Sequence, residues 1–358
     1  MRVEFLIVGQ GISGTFLSYY LYKEKRRCLV IDNNDPNSPS RLAAGIINPV
    51  TGRRMVTVWM AEDVLPFAWD GYHEIGNKLG ITAISQKNII DFFPNPFMRE
   101  NFLKRVDEGN EYIRSVENEK QYEADFNYEF GCGEIKPVYM AHLETLLPAW
   151  RSKLKEEGSL IEQDFEIEKL DVNDHSVRWS DRDGQTITAD KIIFCDGANG
   201  FDNPYFKQLP FAPNKGEALI VEIPGLANMN IYKKSVLLVP LQQELFWVGS
   251  NYLWDFENAN PTAEFRNSTV AALKEWLKTP FKIIEHRAGI RPATLERRPF
   301  VGMHPHYNNV GILNGMGTKG CSLAPFFAKQ LVDHLLFNEP ISPDAAVSRF
   351  QRMLLKRS

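Results

Sequence analysis

The chain is poor in the features that announce a stapled, metal-bound or membrane-bound protein. Its 358 residues contain four cysteines, Cys28, Cys132, Cys195 and Cys321, widely scattered and with no Cys-x-x-Cys pair. That excludes a disulfide framework and a cysteine zinc site. Cys28 and Cys195 sit in apolar, strand-like runs and are expected to be small buried residues in a reducing compartment. No apolar stretch approaches the ~20 residues needed to span a bilayer. The chain enters its first strand almost at once, leaving no room for a signal peptide, so a cytoplasmic protein is expected. The net charge is −4 and the pI near 6.0, which gives no global attraction to nucleic acid or to an anionic membrane. His304-Pro-His306 is the only close histidine pair, and its proline-containing loop argues against a ligand role, so no metal is expected. No nucleophile–base arrangement, internal repeat or low-complexity tract stands out. The basic tail Arg349…Arg352…Lys356-Arg357 reads as a solvated helix end.

What the chain does have is at its start. Phe5-Leu-Ile-Val-Gly-Gln-Gly-Ile-Ser-Gly14 is followed one helix later by Leu29-Val-Ile-Asp32. The order is a buried strand, a Gly-x-Gly-x-x-Gly turn, a helix, a second strand and an acid at its end. Gly9 permits the tight turn, Gly11 lets the backbone approach a pyrophosphate, and Gly14 lets the helix pack on the sheet. The helix then begins under the pyrophosphate, where its free N–H groups and dipole stabilise an anion. Asp32 follows Gly9 by 23 residues, at a strand end where a carboxylate can accept from both ribose hydroxyls.

Length allows two domains, and the 44% hydrophobic and 24% charged composition is that of an ordinary globule. Helical spacing predicts helices at about 12–24, 60–79 (ending at Gly80), 138–157, 262–278 and 321–337. Residues 33–40 are turn chemistry, and 81–128 breaks into short apolar runs and turns. Strands are expected at 159–163 and 176–179, with Asp183-Gly184 as a hairpin turn; 191–197 reads as a buried strand ending in a glycine loop, and alternation over 218–223, 236–240 and 245–252 reads as antiparallel sheet. Near the end, strand 309–313, the glycine-rich turn 314–320 and a helix repeat the form of the start. The architecture expected is α/β: a Rossmann-type domain from 1–80, 131–215 and 287–358, with a mostly antiparallel β substrate domain from 81–130 and 216–286. Two glycine-rich helix starts, near Gly11 and Gly317, can serve one large ligand, whereas a nicotinamide enzyme needs only the first.

Gly289-Ile-Arg-Pro-Ala-Thr-Leu-Glu-Arg-Arg-Pro-Phe-Val-Gly302 and Asn314-Gly-Met-Gly-Thr-Lys-Gly-Cys-Ser-Leu-Ala-Pro325, with the N-terminal fingerprint, resemble the D-amino-acid-oxidase-like flavoenzymes. Weaker echoes are Lys191–Gly197 and Pro213–Gly216. That family includes glycine oxidase, sarcosine oxidase and the flavin domain of a tRNA-modifying enzyme. The resemblance implies FAD, with Gly9, Gly11, Ser13, Gly14, Asp32, Arg41 and Gly197 among the cofactor-binding residues. By position Ala43, Ala44 and Gly45 would line the flavin edge, and Gly315, Gly317, Thr318 and Gly320 its pyrimidine end. Where some members carry a flavin-tethering cysteine this chain has Gly289, so the FAD is expected to be non-covalent. The segment Asn48–Arg54 departs from the usual loop over the flavin.

The resemblance implies oxidation of the C–N bond of a small amino acid or secondary amine, with oxygen or another electron acceptor as partner. A substrate carboxylate is best held by a guanidinium fork. Arg291 matches the family arginine that grips it; the other reading is a structural arginine paired with Glu285 or Glu296. Lys319 matches a carboxylate-binding lysine, or is a solvated turn residue. One of Arg53 and Arg54 is expected to face the site, and Tyr252 either closes the pocket or is an ordinary core or surface tyrosine. Two further readings are oxidation of a modified tRNA base, opposed by the low net charge and the missing methyltransferase domain, and a non-catalytic flavin protein, opposed by the clustered cations.

Overall fold

The computed structural model describes residues 1–355. Strand Arg2–Val8 runs parallel between Cys28–Ile31 and Thr186–Phe194. Its Leu6 and Ile7 are fully buried, as expected where a parallel sheet is covered on both faces. Leu160–Ile161 extends this sheet beyond Cys28–Ile31, and Val310–Asn314 lies parallel to the end of Thr186–Phe194. Val177–Ser180, Leu170–Val172 and Phe300–Met303 add antiparallel edges. Helices Ile12–Lys23 and Gly320–Phe337 pack together on one face, joined by Ala61–Leu79 and Leu143–Glu156. Trp179, Phe194 and Phe206 fill the core on the other.

The second sheet has the order 282–291, 214–222, 245–249, 237–240, 231–233, 89–92, 132–135, 113–115. Its alternation sorts residues by face. Leu219, Val221, Phe246 and Val248 pack under helix Ala263–Trp276, while Ala218, Ile220, Trp247, Val239 and Ile231 face the helices of the first sheet. This inward face becomes one wall of the cavity described below.

Some elements differ from expectation. Helix Pro96–Asp107 lies where short apolar runs and turns were expected. Its start signals are present, since Asn95 accepts from the Met98 N–H and Pro96 takes the first helical position. Phe102 is its one fully buried side chain, so the apolar period is faint. The helix expected from 138 begins at Leu143, because Tyr139–Ala141 pairs as a strand with Ile46–Ile47 and Ile84–Gln86. Strand Cys132–Ile135, the residues Asn214–Lys215 and Arg287–Arg291 belong to the second sheet, although the sequence division put them with the first. Arg349 is not a solvated tail residue. It pairs with Glu296 at 3.2 Å and stacks 4.6 Å from the Phe350 ring centre. Lys356 and Arg357 lie outside the described residues. No helix among the described residues is long and apolar enough to cross a membrane.

Candidate active site

A cavity of about 900 Å³ lies between the two sheets, at the large end of the range of ligand sites, about 300–1,000 Å³. The first sheet and its loops contribute Gly9, Gly11, Ser13, Asp32, Arg41, Ala43, Ala44, Gly45, Gly197, Gly317, Thr318 and Gly320, and the second contributes Ala218, Trp247 and Arg291. Both glycine-turn helices open onto it. Neither Ile12–Lys23 nor Gly320–Phe337 is capped by the side chain of the residue before it or carries an acid in its first turn; the Ile12 N–H donates to Ser40 Oγ at 3.0 Å, and no anion of the chain itself neutralises the positive end of either helix. Gly9 has φ +96°, and a Cβ there would lie 2.5 Å from the Cys195 carbonyl oxygen. Gly14 does not line the cavity: a side chain there would overlap the Gly9 carbonyl, so it serves helix packing.

Asp32 is held from several sides. Its Oδ2 accepts from the Gln10 N–H at 2.8 Å, and its Oδ1 accepts from Asn34 N–H at 2.8 Å and Arg151 Nη1 at 2.6 Å. Arg41 stands 3.6 Å away and also donates to Asn34 and Ser38. Arg151 is 5% exposed and is shared with Glu162 at 2.9 Å. Sequence reasoning missed Arg151. It lies on helix Leu143–Glu156, 119 residues from Asp32, and on a helix whose other inward positions are apolar nothing local marks it.

On the opposite wall Arg291 ends strand Lys282–Arg291. Its Nη1 donates to Asn214 Oδ1 at 2.9 Å and to the Asn251 carbonyl at 3.0 Å, and its Nη2 to Ser250 Oγ at 2.8 Å. All three acceptors are neutral. Glu285 is bound to Arg287 at 2.7 Å and Glu296 to Arg349, so neither is the partner that a structural role for Arg291 required. Burial lowers the Arg291 pKa. The Tyr252 ring, 55% exposed, stands over the guanidinium at 4.8 Å and lines the cavity. Lys319 precedes helix Gly320–Phe337 and also lines it; burial, then the charges of Arg298 and Arg297, lower its pKa. A half-buried guanidinium bonded to neutral groups alone, with N–H groups to spare, can bind an anion.

Over residues 4–334 the sequence matches the model of the DAO family, FAD dependent oxidoreductase. The chain belongs to this family. Among curated DAO-like relatives, the glycine oxidase of Bacillus subtilis is 22% identical over 95% of both chains. The glycine oxidase of Pseudomonas aeruginosa is 27% identical, over 43% of this chain and 44% of that protein. Among solved structures, glycine oxidase from Geobacillus kaustophilus superposes with a TM-score of 0.79 at 17% identity, covering 100% of this chain and 99% of that one. Iminodiacetate oxidase from Chelativorans sp. BNC1 gives 0.77 at 20% identity, over 96% and 98%. These likenesses establish the Rossmann-type domain with its added β domain, and the family establishes an FAD-dependent oxidoreductase.

Besides that of Gly14, two more expectations fail on geometry. Arg53 and Arg54 do not line the cavity; both are exposed between the paired strands Val50–Thr51 and Val56–Thr57, and the Arg54 carbonyl accepts from Arg105. The hairpin turns its apolar Met55 inward, and the charged tip is left in water. Gly315 does not reach the cavity either. A Cβ there would lie 2.7 Å from Thr294 Cγ2, so it keeps the turn close-packed. Cys321 does line the cavity, but burial pushes its thiol up to about 12.

Proposed function

We propose that this protein oxidises the C–N bond of a small amino acid or carboxylated secondary amine. The observation that carries the reading is Arg291, half-buried in the cavity wall and bonded to neutral groups alone. In this reading the segments of the first sheet hold non-covalent FAD and the second sheet supplies the substrate wall. Gly11, Ser13 and the positive start of helix Ile12–Lys23 would take the pyrophosphate, Asp32 the ribose, and Arg41 the nearby polar edge. Ala43–Gly45, Gly197, Gly317, Thr318 and Gly320 would line the rest. The bound flavin supplies a two-electron acceptor for the hydride equivalent that leaves the carbon beside nitrogen.

The chain's own work is orientation. Arg291 fixes the carboxylate by charge-assisted hydrogen bonds, Lys319 adds a second cation, and Tyr252 covers the guanidinium so that water competes less for it. An amine that arrives neutral needs no protein base, and the imine product hydrolyses in water. The four buried free thiols suit a cytoplasmic setting.

The test is anaerobic addition of amino acids and secondary amines to purified protein. Carboxylated amines should bleach the flavin and matched amines without a carboxylate should not. Flavin that dithionite reduces but no amine bleaches would overturn the reading, and equal bleaching by both amine sets would remove the role of Arg291. Readmitting oxygen then separates an oxidase from a dehydrogenase.

A further inference from the structure

The floor of the cavity carries a second charged group far from Arg291. Lys233 lies opposite Asp91 on one side and Leu237 on the other. Leu237 is opposite Gly249, Gly249 opposite Ala218, and Ala218 opposite Arg287. Directly opposed residues share a face, so this row runs across the sheet on the side that Gly289 and Arg291 occupy at its edge. Lys233, Leu237, Ala218 and Arg291 all line the one cavity.

Lys233 donates to Asp91 at 2.6 Å, with side chains 29% and 3% exposed respectively. Asp91 is the one hydrogen-bond acceptor of this ammonium among the described residues, and an ammonium has three donors. The neighbours on this face, Ile89, Ile231 and Val239, are apolar and fully buried. A buried ion pair there adds no stability over an apolar pair of similar size. Its useful property is that Asp91 offsets part of the cost of the lysine charge while spare donors remain at the cavity.

We infer that Lys233 is a distal substrate anchor, so that the cavity takes an amine with one carboxylate on Arg291 and a second acidic group at its far end. The inference rests on the amine-oxidation reading. Four strand spacings, roughly 19 Å across the sheet, and the four residues from Arg287 to Arg291, roughly 13 Å along the strand, put the two backbones about 23 Å apart, and two long side chains shorten that span.

The test is titration of the FAD-loaded protein with unbranched dicarboxylates from malonate to adipate and with monocarboxylates of matched length, read as perturbation of the flavin absorbance. Diacids of one preferred length should bind at least 10-fold tighter than their monoacids. Lys233→Met should abolish that advantage and leave monoacid affinity unchanged, whereas Asp91→Asn should increase it. If a lone buried Asp91 prevents folding of the first variant, the pair is removed together in Lys233→Met/Asp91→Asn, with the same loss expected. Diacids and monoacids that bind alike to the wild type, or an advantage that survives loss of Lys233, overturn the anchor and leave the amine-oxidation reading standing. No perturbation by any carboxylate overturns both.

Discussion

Gly216 and Arg291 occupy one space: a Cβ on residue 216 would fall on the Arg291 guanidinium. The two lie on neighbouring strands, Gly216 being opposite Gly289, two residues before the arginine. The absence of a side chain lets the guanidinium lie flat over the strand with its donors toward the cavity. Gly216→Ala should therefore raise KM for a carboxylated amine about 10-fold or more, since the displaced fork loses roughly one charge-assisted hydrogen bond. Flavin content should stay the same. An unchanged KM would show that the guanidinium is free to move aside.

Arg291→Met keeps an unbranched apolar stem and removes every donor. The loss in kcat/KM for carboxylated amines should be about 10²- to 10³-fold, because a desolvated anion is left without its partner. Lys319→Met should act in the same direction but less, a lysine being a point charge without the fork. Amines lacking a carboxylate should change little in either variant. Equal losses for both substrate classes would assign Arg291 to pocket support.

Asp32→Ala removes the expected ribose acceptor and also strips Arg151 of its 2.6 Å partner. Glu162 still holds Arg151, so the cost to the apoprotein should fall at or below the ~3–5 kcal/mol of a broken buried pair. A further 1–3 kcal/mol, roughly, should be lost from FAD binding. Arg151→Met should weaken FAD binding with the carboxylate still present. Thermal melts of the apoprotein together with FAD titration separate the two effects. An apoprotein melt unmoved by Asp32→Ala would contradict the structural half of this account.

The flavin should leave the protein on acid precipitation. Gly289 offers no thiol, and a Cβ there would lie 2.6 Å from Leu42 Cδ1. Burial keeps Cys321 protonated, and the thiolate is the reactive form. Yellow colour retained in the washed pellet would refute non-covalent binding.

Asp196 predicts a pH effect. It accepts from Asn203 at 3.2 Å and Asn314 at 2.9 Å, yet burial dominates and raises its pKa from 3.8 to about 6. The folded chain therefore keeps a proton that the unfolded chain releases. The contribution of this group to stability is greatest below about pH 4 and is lost as pH rises through 6. Asp196→Asn removes that dependence at the constant cost of a disturbed hydrogen bond. The Tm of the variant minus that of the wild type, measured on apoprotein, should climb between pH 4 and 7. A flat difference would exclude the raised pKa.

The strand, glycine turn and helix at the start of the chain were legible because they are written in short-range chemistry. A strand, a glycine turn, a helix start and an acid follow one another within the first 32 residues, and each requirement is local. Helices with a broad apolar stripe, such as Ala61–Leu79, were equally readable. Helix Pro96–Asp107 was hidden because its buried face is a single phenylalanine. The exposure of Arg53 and Arg54 was hidden because which side of a hairpin faces a cavity depends on what packs beneath it.

The sequence by itself determined the Rossmann-type turn, which follows from residue type and spacing along the chain, and its resemblance to the flavoenzyme family implied FAD and the candidacy of Arg291. Only the tertiary structure decided the rest. It brought Arg151 to Asp32 and Lys233 to Asp91 from 119 and 142 residues away, and it laid Arg291 over Gly216 across a strand pair. The reason is that a local motif fixes the backbone's own shape. The partner of a buried charge is chosen by sheet register and helix packing, which sum contacts over the whole chain.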